Sequence, residues 1–136
     1  MTREWEDAVH RGSIEDLQRL FTSGADIDAR DGHGQTALML AAVNGHGHVV
    51  GWLVERGAAL DHTAKYGLSA LMLATIRGHV DVVRKLTDAG ASVSLRGTGA
   101  PGFAEKTALD LAIALDNPEI VEILRSAADL RRNRVV

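Results

Sequence analysis

The amino-acid sequence repeats itself at a fixed interval, and this internal repeat restricts the fold more than any other feature. Residues 34–60, GQTALMLAAVNGHGHVVGWLVERGAAL, align with residues 67–93, GLSALMLATIRGHVDVVRKLTDAGASV, at an offset of 33 residues and with nearly every apolar position in register. A more polar copy lies one interval earlier, and a fourth, KTALDLAIALDNPEIVEIL, fits residues 106–124 after five inserted residues. A unit of this length buries its apolar face only by stacking on neighbouring units.

Each copy carries the signals of two helices joined by a tight turn. Thr36, Ser69 and Thr107 each precede an apolar run, as hydroxyl N-caps do when they accept from backbone N–H groups of the first helical turn. Glycine is suited to the left-handed backbone angles that end helices. The glycines predicted to end the helices of the two central copies are Gly45, Gly57, Gly78 and Gly90.

The fourth copy keeps these signals with its own variations. Asn117 followed by proline predicts the start of its second helix, and Asp110, three residues after the first cap, predicts a capping box. Ala128 stands where the central copies have a helix-ending glycine. We therefore expect the second helix to continue through AADLRR and the array to stop there.

A 33-residue unit with T-A-L-x-L-A, G-H, V-V and G-A at these offsets resembles the ankyrin repeat over essentially the whole chain. Its turn departs from the T-P-L-H of that family, because alanine replaces the proline and methionine or aspartate replaces the histidine. The resemblance implies an all-α solenoid of four stacked helix-turn-helix repeats with short inter-repeat β-hairpin loops. The expected single domain, 1–136, has repeats at about 1–30, 31–63, 64–96 and 103–130, with an inserted loop at 97–102.

Composition narrows the range of functions. The 136 residues are 46% hydrophobic, enough for one compact domain, and the net charge of -3 supplies no general attraction for nucleic acid or anionic membranes. The C-terminus is nevertheless locally basic, with Arg125, Arg131, Arg132 and Arg134. There is no cysteine and no run of about 20 apolar residues. We expect a soluble, cytoplasmic monomer that binds neither nucleic acid nor membranes and holds no cofactor.

The stretch RGTGAPGFAEKT, residues 96–107, contains the spacing G-x-G-x-x-G. A phosphate-binding P-loop needs lysine directly after its second glycine, whereas FAE intervenes here, and a dinucleotide loop needs a βαβ unit that the repeats do not provide. We interpret Gly97, Gly99, Pro101 and Gly102 as turn residues of a loop that projects beside the binding face. Small-ligand or nucleotide binding at 97–107 is the alternative from another functional class.

The histidines raise the possibility of a metal site. His46 recurs as His79 one interval later and corresponds to the G-H histidine of the ankyrin repeat, a structural position, while His48 corresponds to an exposed first turn. Zinc sites need three or four convergent ligands, and no such set is apparent, so we expect no metal. The isolated His10, His33 and His62 are interpreted as solvated, and the acids Asp26, Asp28 and Asp31 as turn residues that satisfy backbone donors.

No catalytic constellation can be placed, and we predict a non-enzymatic protein–protein interaction module. In an ankyrin-like stack, partners contact the concave side formed by the hairpin tips and the first helices. The predicted contact residues are His33, Gln35, Val43, Lys65, Tyr66, Leu68, Ile76, Phe103 and Lys106. Apolar side chains with basic rims at Lys65 and Lys106 fit a binding hot spot, although Leu68 and Phe103 could instead fold onto neighbouring helices. A narrower alternative is an inhibitor or immunity-type protein for one partner enzyme or toxin.

Overall fold

A computed structural model describes residues 1–133, which form eight α-helices in four consecutive pairs and no β-strand. The helices are α1 (Arg3–Arg11), α2 (Ile14–Thr22), α3 (Ala37–Asn44), α4 (Gly47–Glu55), α5 (Ala70–Arg77), α6 (Val80–Asp88), α7 (Ala108–Ala114) and α8 (Pro118–Asn133). The fold predicted from the repeat is therefore confirmed as all-helical. Arg134, part of the predicted basic C-terminus, lies outside the described residues.

The pairs stack so that their first helices pack in one row and their second helices in another. Contacts join α1 to α3, α3 to α5 and α5 to α7, and in the second row α2 to α4, α4 to α6 and α6 to α8. The core extends without a break from Trp5 in α1 to Leu124 in α8. Ala41, Ala74 and Ala112 are fully buried in the first row, where small side chains let the helices approach closely.

The helix starts predicted from the sequence are confirmed by their capping bonds. The hydroxyls of Thr36, Ser69 and Thr107 each accept from the backbone N–H three residues later, at 3.4, 3.3 and 3.2 Å. Asp110 completes the capping box, since its carboxylate accepts from the N–H of Thr107 at 3.0 Å. Asn117 caps α8 in the same way as the hydroxyls, at 3.2 Å.

The turn inside each pair requires a left-handed residue. Gly45 and Gly78 end α3 and α5 with φ of 72° and 73°, as predicted, because an L-residue rarely adopts this conformation. The corresponding position of the fourth pair holds Asp116, with φ of 53°. Aspartate tolerates the left-handed region better than most residues but remains strained relative to glycine.

The last helix is longer than the others, as the alanine at position 128 predicts. It extends to Asn133, and Arg131 near its end donates from its guanidinium to the carbonyls of Thr87, at 3.2 Å, and Ala91. The Thr87 carbonyl lies in the last turn of α6, where it also accepts from the N–H of Gly90, and the Ala91 carbonyl lies just beyond that helix. The end of α8 is therefore tied to the preceding pair.

The tips of the first two connections between pairs are tight turns. The N–H of Asp31 donates to the carbonyl of Gln35 at 2.9 Å, and the N–H of Ala64 donates to that of Leu68 at 3.0 Å. This pairing closes the tips of the predicted β-hairpin loops, but within residues 1–133 it is too short to form a strand.

Two histidines link consecutive repeats, which confirms their predicted structural role. Nε2 of His46 lies 2.9 Å from the carbonyl oxygen of His10, and Nε2 of His79 lies 2.9 Å from that of Val43. A carbonyl oxygen only accepts, so Nε2 carries the hydrogen in both rings. Each histidine thus ties the start of a second helix to the first helix of the preceding repeat.

The carboxylates of the turn cluster Asp26, Asp28 and Asp31 all accept from backbone N–H groups, as the sequence predicts. Asp28 reaches into the next repeat, where it accepts from the N–H of Ala59 at 2.9 Å. Asp61 makes the same contact one interval later, at 2.8 Å. These bonds add a second polar link, beside that of the histidines, to the interfaces between the first and second repeats and between the second and third.

Candidate functional site

The nine residues predicted to contact a partner differ in how far their side chains are exposed to solvent. His33, Lys65, Tyr66 and Lys106 are exposed, Gln35, Val43, Ile76 and Phe103 are half-buried, and Leu68 is buried. The prediction that Leu68 is available for contact is wrong, because the side chain is only 8% exposed and belongs to the core. Register alone placed this leucine beside the exposed Tyr66, but the tip turns its side chain inward.

Four of these residues cluster at the tips of the second and third connections. The rings of Tyr66 and Phe103 stack with their centroids 5.6 Å apart and an interplanar angle of 25°. Nζ of Lys65 lies 4.9 Å from the centroid of the Tyr66 ring, and the backbone of Lys106 donates to the carbonyl of Phe103 at 3.0 Å. We name Lys65, Tyr66, Phe103 and Lys106 the tip platform.

Tyr66 occupies a backbone conformation that is unfavourable for its residue type. Its φ and ψ are 63° and 22°, and Gly67 has φ of 66°, so both central residues of the turn are left-handed, as in a type I′ turn. Asparagine followed by glycine is the preferred sequence for such turns. A left-handed L-residue costs about 1–2 kcal/mol. The turn therefore keeps an aromatic ring, 37% exposed, where a smaller polar residue would be less strained.

The inserted loop, 97–102, packs against this turn at its start, while four of its six residues are exposed. The N–H of Thr98 donates to the carbonyl of Tyr66 at 2.7 Å, and the N–H of Gly97 donates to that of Lys106 at 2.8 Å. Gly97 is buried, and a Cβ there would collide with the carbonyl oxygen of Phe103. Glycine is required at this position because the two backbone segments lie in contact. The insertion thus braces the aromatic stack.

Most backbone N–H groups of residues 97–107 are already bonded within the chain. The N–H groups of residues 97, 98 and 103–106 all donate to carbonyl oxygens of the chain. A phosphate cradle needs several convergent N–H groups that are free to donate. Gly99 and Gly102 have φ of 76° and 92°, which confirms their interpretation as turn residues.

Two arginines missed by the sequence analysis fix the backbone of the tips. Arg30 donates to the carbonyls of Gly34, at 2.7 Å, and Thr63, at 2.9 Å. Arg96 donates to the carbonyl of Glu105 at 2.7 Å. Arg30 and Arg96 stand at the same register position of their repeats, and this recurrence is the signal that could have identified them.

The neighbouring histidines are occupied by hydrogen bonds to the backbone. The rings of His46 and His48 lie 5.8 Å apart, and Nε2 of His48 donates to the carbonyl of Gly12 at 2.9 Å. These bonds place the hydrogen on Nε2 of both rings, so Nδ1 is the nitrogen of each ring that keeps a lone pair. Among the described residues, no three His, Asp or Glu side chains come together in an arrangement that could hold a metal ion.

Four stacked helical pairs with tight turns define a helical repeat protein of the solenoid class. The family model described as "Ankyrin repeats (3 copies)" matches residues 6–97, and the chain belongs to the ankyrin repeat family. The resemblance inferred from the sequence is thus confirmed. Repeats of this family are generally protein–protein interaction modules. The fourth pair lies beyond the matched segment.

A stretch of 44 residues is 46% identical to the "G patch domain and ankyrin repeat-containing protein 1 homolog" of Drosophila melanogaster. The alignment covers 32% of this chain and 13% of that protein, so the similarity concerns a small part of the relative. As for membranes, none of the helices within residues 1–133 combines the length and the apolar character that a crossing requires.

Proposed function

We propose that this chain is a non-enzymatic interaction module that binds a partner protein on one face, formed by the hairpin tips and the adjacent sides of α3, α5 and α7. The observation that carries the proposal is the aromatic stack of the tip platform. Tyr66 is held partly exposed on a strained turn, and the inserted loop braces it through Thr98. Strain that the surrounding structure maintains is a mark of functional positions.

The first helices extend this surface with a row of equivalent positions. Val43, Ile76 and Ala114 stand at the same register of α3, α5 and α7, and each retains exposed surface. The row supplies an apolar strip of moderate size beside the tips. Partly exposed apolar side chains around an aromatic anchor are the composition of binding hot spots.

The test replaces the aromatic rings without disturbing the fold. Tyr66→Asn removes the ring and places a residue preferred at this turn position, and Phe103→Ala removes the other half of the stack. A partner is first isolated by affinity capture from the native cell extract, and its affinity for each purified variant is then measured. We expect each substitution to weaken binding about 30-fold, as the loss of a hot-spot residue does.

Leu130→Ala serves as the matched control, because Leu130 is 64% exposed and lies on α8, in the row of second helices. Its removal takes exposed apolar surface from a different part of the molecule, and the affinity should stay within twofold. A variant that carries both Tyr66→Asn and Phe103→Ala and binds the partner with unchanged affinity would contradict the proposal. A loss of affinity in Leu130→Ala equal to that in the platform variants would contradict it as well. Circular dichroism of every variant confirms that the helices are retained.

A further inference from the structure

The hairpin tips carry a charge opposite in sign to that of the whole chain. The net charge of the protein is -3, yet the tip segments 30–35, 63–68 and 96–106 hold four basic side chains against two carboxylates. One of these carboxylates, Asp31, is occupied by two N–H groups of its own turn, each at 2.9 Å. The tips therefore form a positively charged edge on a negatively charged protein.

The four cations of this edge differ in what they contact. Arg30 and Arg96 donate to backbone carbonyls and hold the tips in shape. Lys65 and Lys106 are exposed, and among the side chains that the structure describes neither ammonium group is paired with a carboxylate. Both lysines belong to the tip platform: Nζ of Lys65 lies over the Tyr66 ring, and the backbone of Lys106 is bonded to that of Phe103, so two cations stand close in the chain to the aromatic stack.

We propose that the tip platform recognises an acidic segment of the partner protein, an inference that rests on the proposed function. An apolar side chain of the segment packs on the Tyr66 and Phe103 rings, and carboxylates on either side of it pair with Lys65 and Lys106. Complementary charge steers such a segment to the platform and rejects basic partners. A nucleic acid is the less favoured polyanion, because the net negative charge of the rest of the chain repels a long phosphate backbone.

The experiment selects ligands without assuming a partner. A random dodecapeptide library displayed on phage is selected against the full chain, and enriched peptides are synthesised and their affinities measured by fluorescence anisotropy. We expect enriched peptides to be net negative and to contain a large apolar residue. Lys65→Glu and Lys106→Glu should each weaken these peptides roughly tenfold by placing like charges together. Arg125→Glu makes the same change of charge on α8 and should change the affinity less than twofold.

The outcomes separate this inference from the proposed function. If the enriched peptides bind the Tyr66→Asn variant more weakly but are not enriched in acidic residues, recognition of an acidic segment is wrong, and the proposed binding face is retained. Peptides that are insensitive to every platform substitution would overturn both. Failure to enrich any peptide, or displacement of the peptides by a single-stranded oligonucleotide at equal affinity, would also count against recognition of an acidic protein segment.

Discussion

Replacing Gly45 by alanine tests how tightly the histidine contact joins one repeat to the next. Gly45 has φ of 72°, and a Cβ there would lie 2.8 Å from ring atoms of His79, whose Nε2 donates to the carbonyl of Val43. Gly57 also has a positive φ, 83°, but a Cβ there would meet nothing within 4 Å. Gly57→Ala is therefore a control that shares the backbone strain and lacks the collision.

The expected magnitudes follow from these two environments. In both variants the left-handed strain of about 1–2 kcal/mol is partly offset by about 0.4–1 kcal/mol, because alanine reduces the entropy of the unfolded chain. Gly57→Ala should therefore lower the free energy of unfolding by about 1 kcal/mol. Gly45→Ala also displaces the His79 ring and its hydrogen bond, which adds about 1–2 kcal/mol. The difference between the free energies of unfolding of the two variants therefore measures the contribution of the His79 contact between repeats.

The assay is urea unfolding followed by far-ultraviolet circular dichroism, with the free energy of unfolding extrapolated to water. Gly12→Ala should fall between the other two variants, because its Cβ would lie 3.3 Å from His48 and 3.4 Å from His46. Free energies of unfolding for Gly45→Ala and Gly57→Ala that agree within about 0.5 kcal/mol would refute the reasoning, since the ring would then move at no cost.

Two further substitutions test the fourth pair. The backbone N–H of Thr107 lowers the pKa of Asp110, so this carboxylate stabilises the fold above the ordinary pKa of aspartate and loses its effect as the pH falls through its own lower pKa. Asp110→Ala should lower the free energy of unfolding by about 1 kcal/mol at neutral pH and by progressively less below about pH 4. Thermal unfolding of both proteins, measured across this pH range, tests the expectation. Asp116→Gly should raise the free energy of unfolding by about 1 kcal/mol by removing left-handed strain. A decrease would mean that the aspartate side chain makes a stabilising contact.

The stacked arrangement of the repeats could be predicted from the sequence, because the residues that determine it act locally and recur in each copy. A hydroxyl residue directly before an apolar run predicts a helix N-cap, and Thr36 and Ser69 both form this capping bond. Ala128 in place of glycine is enough to predict that α8 continues. His46 and His79 were recognised as structural because they share a register position. In each case, two or more copies of the repeat could be compared.

The platform could not be predicted because it depends on contacts that occur once. The insertion has no counterpart in the other copies, so register gave no reason to pair Thr98 with Tyr66. The left-handed φ of Tyr66 was equally hidden, since His33, the equivalent residue one interval earlier, is not left-handed. Leu68 was misplaced because register does not show which way a turn directs its side chains.

The bonds between repeats also determine how the chain acquires its structure. They join groups that are 31 to 44 residues apart in sequence, from Asp28 with Ala59 to Arg131 with Thr87, so closing each interface requires only a short loop. The entropy of loop closure is thus similar at every interface, and folding does not have to wait for a distant encounter. We expect folding to begin at any neighbouring pair of repeats and to spread along the array, so that a destabilising substitution in the first or the last repeat leaves the opposite end folded.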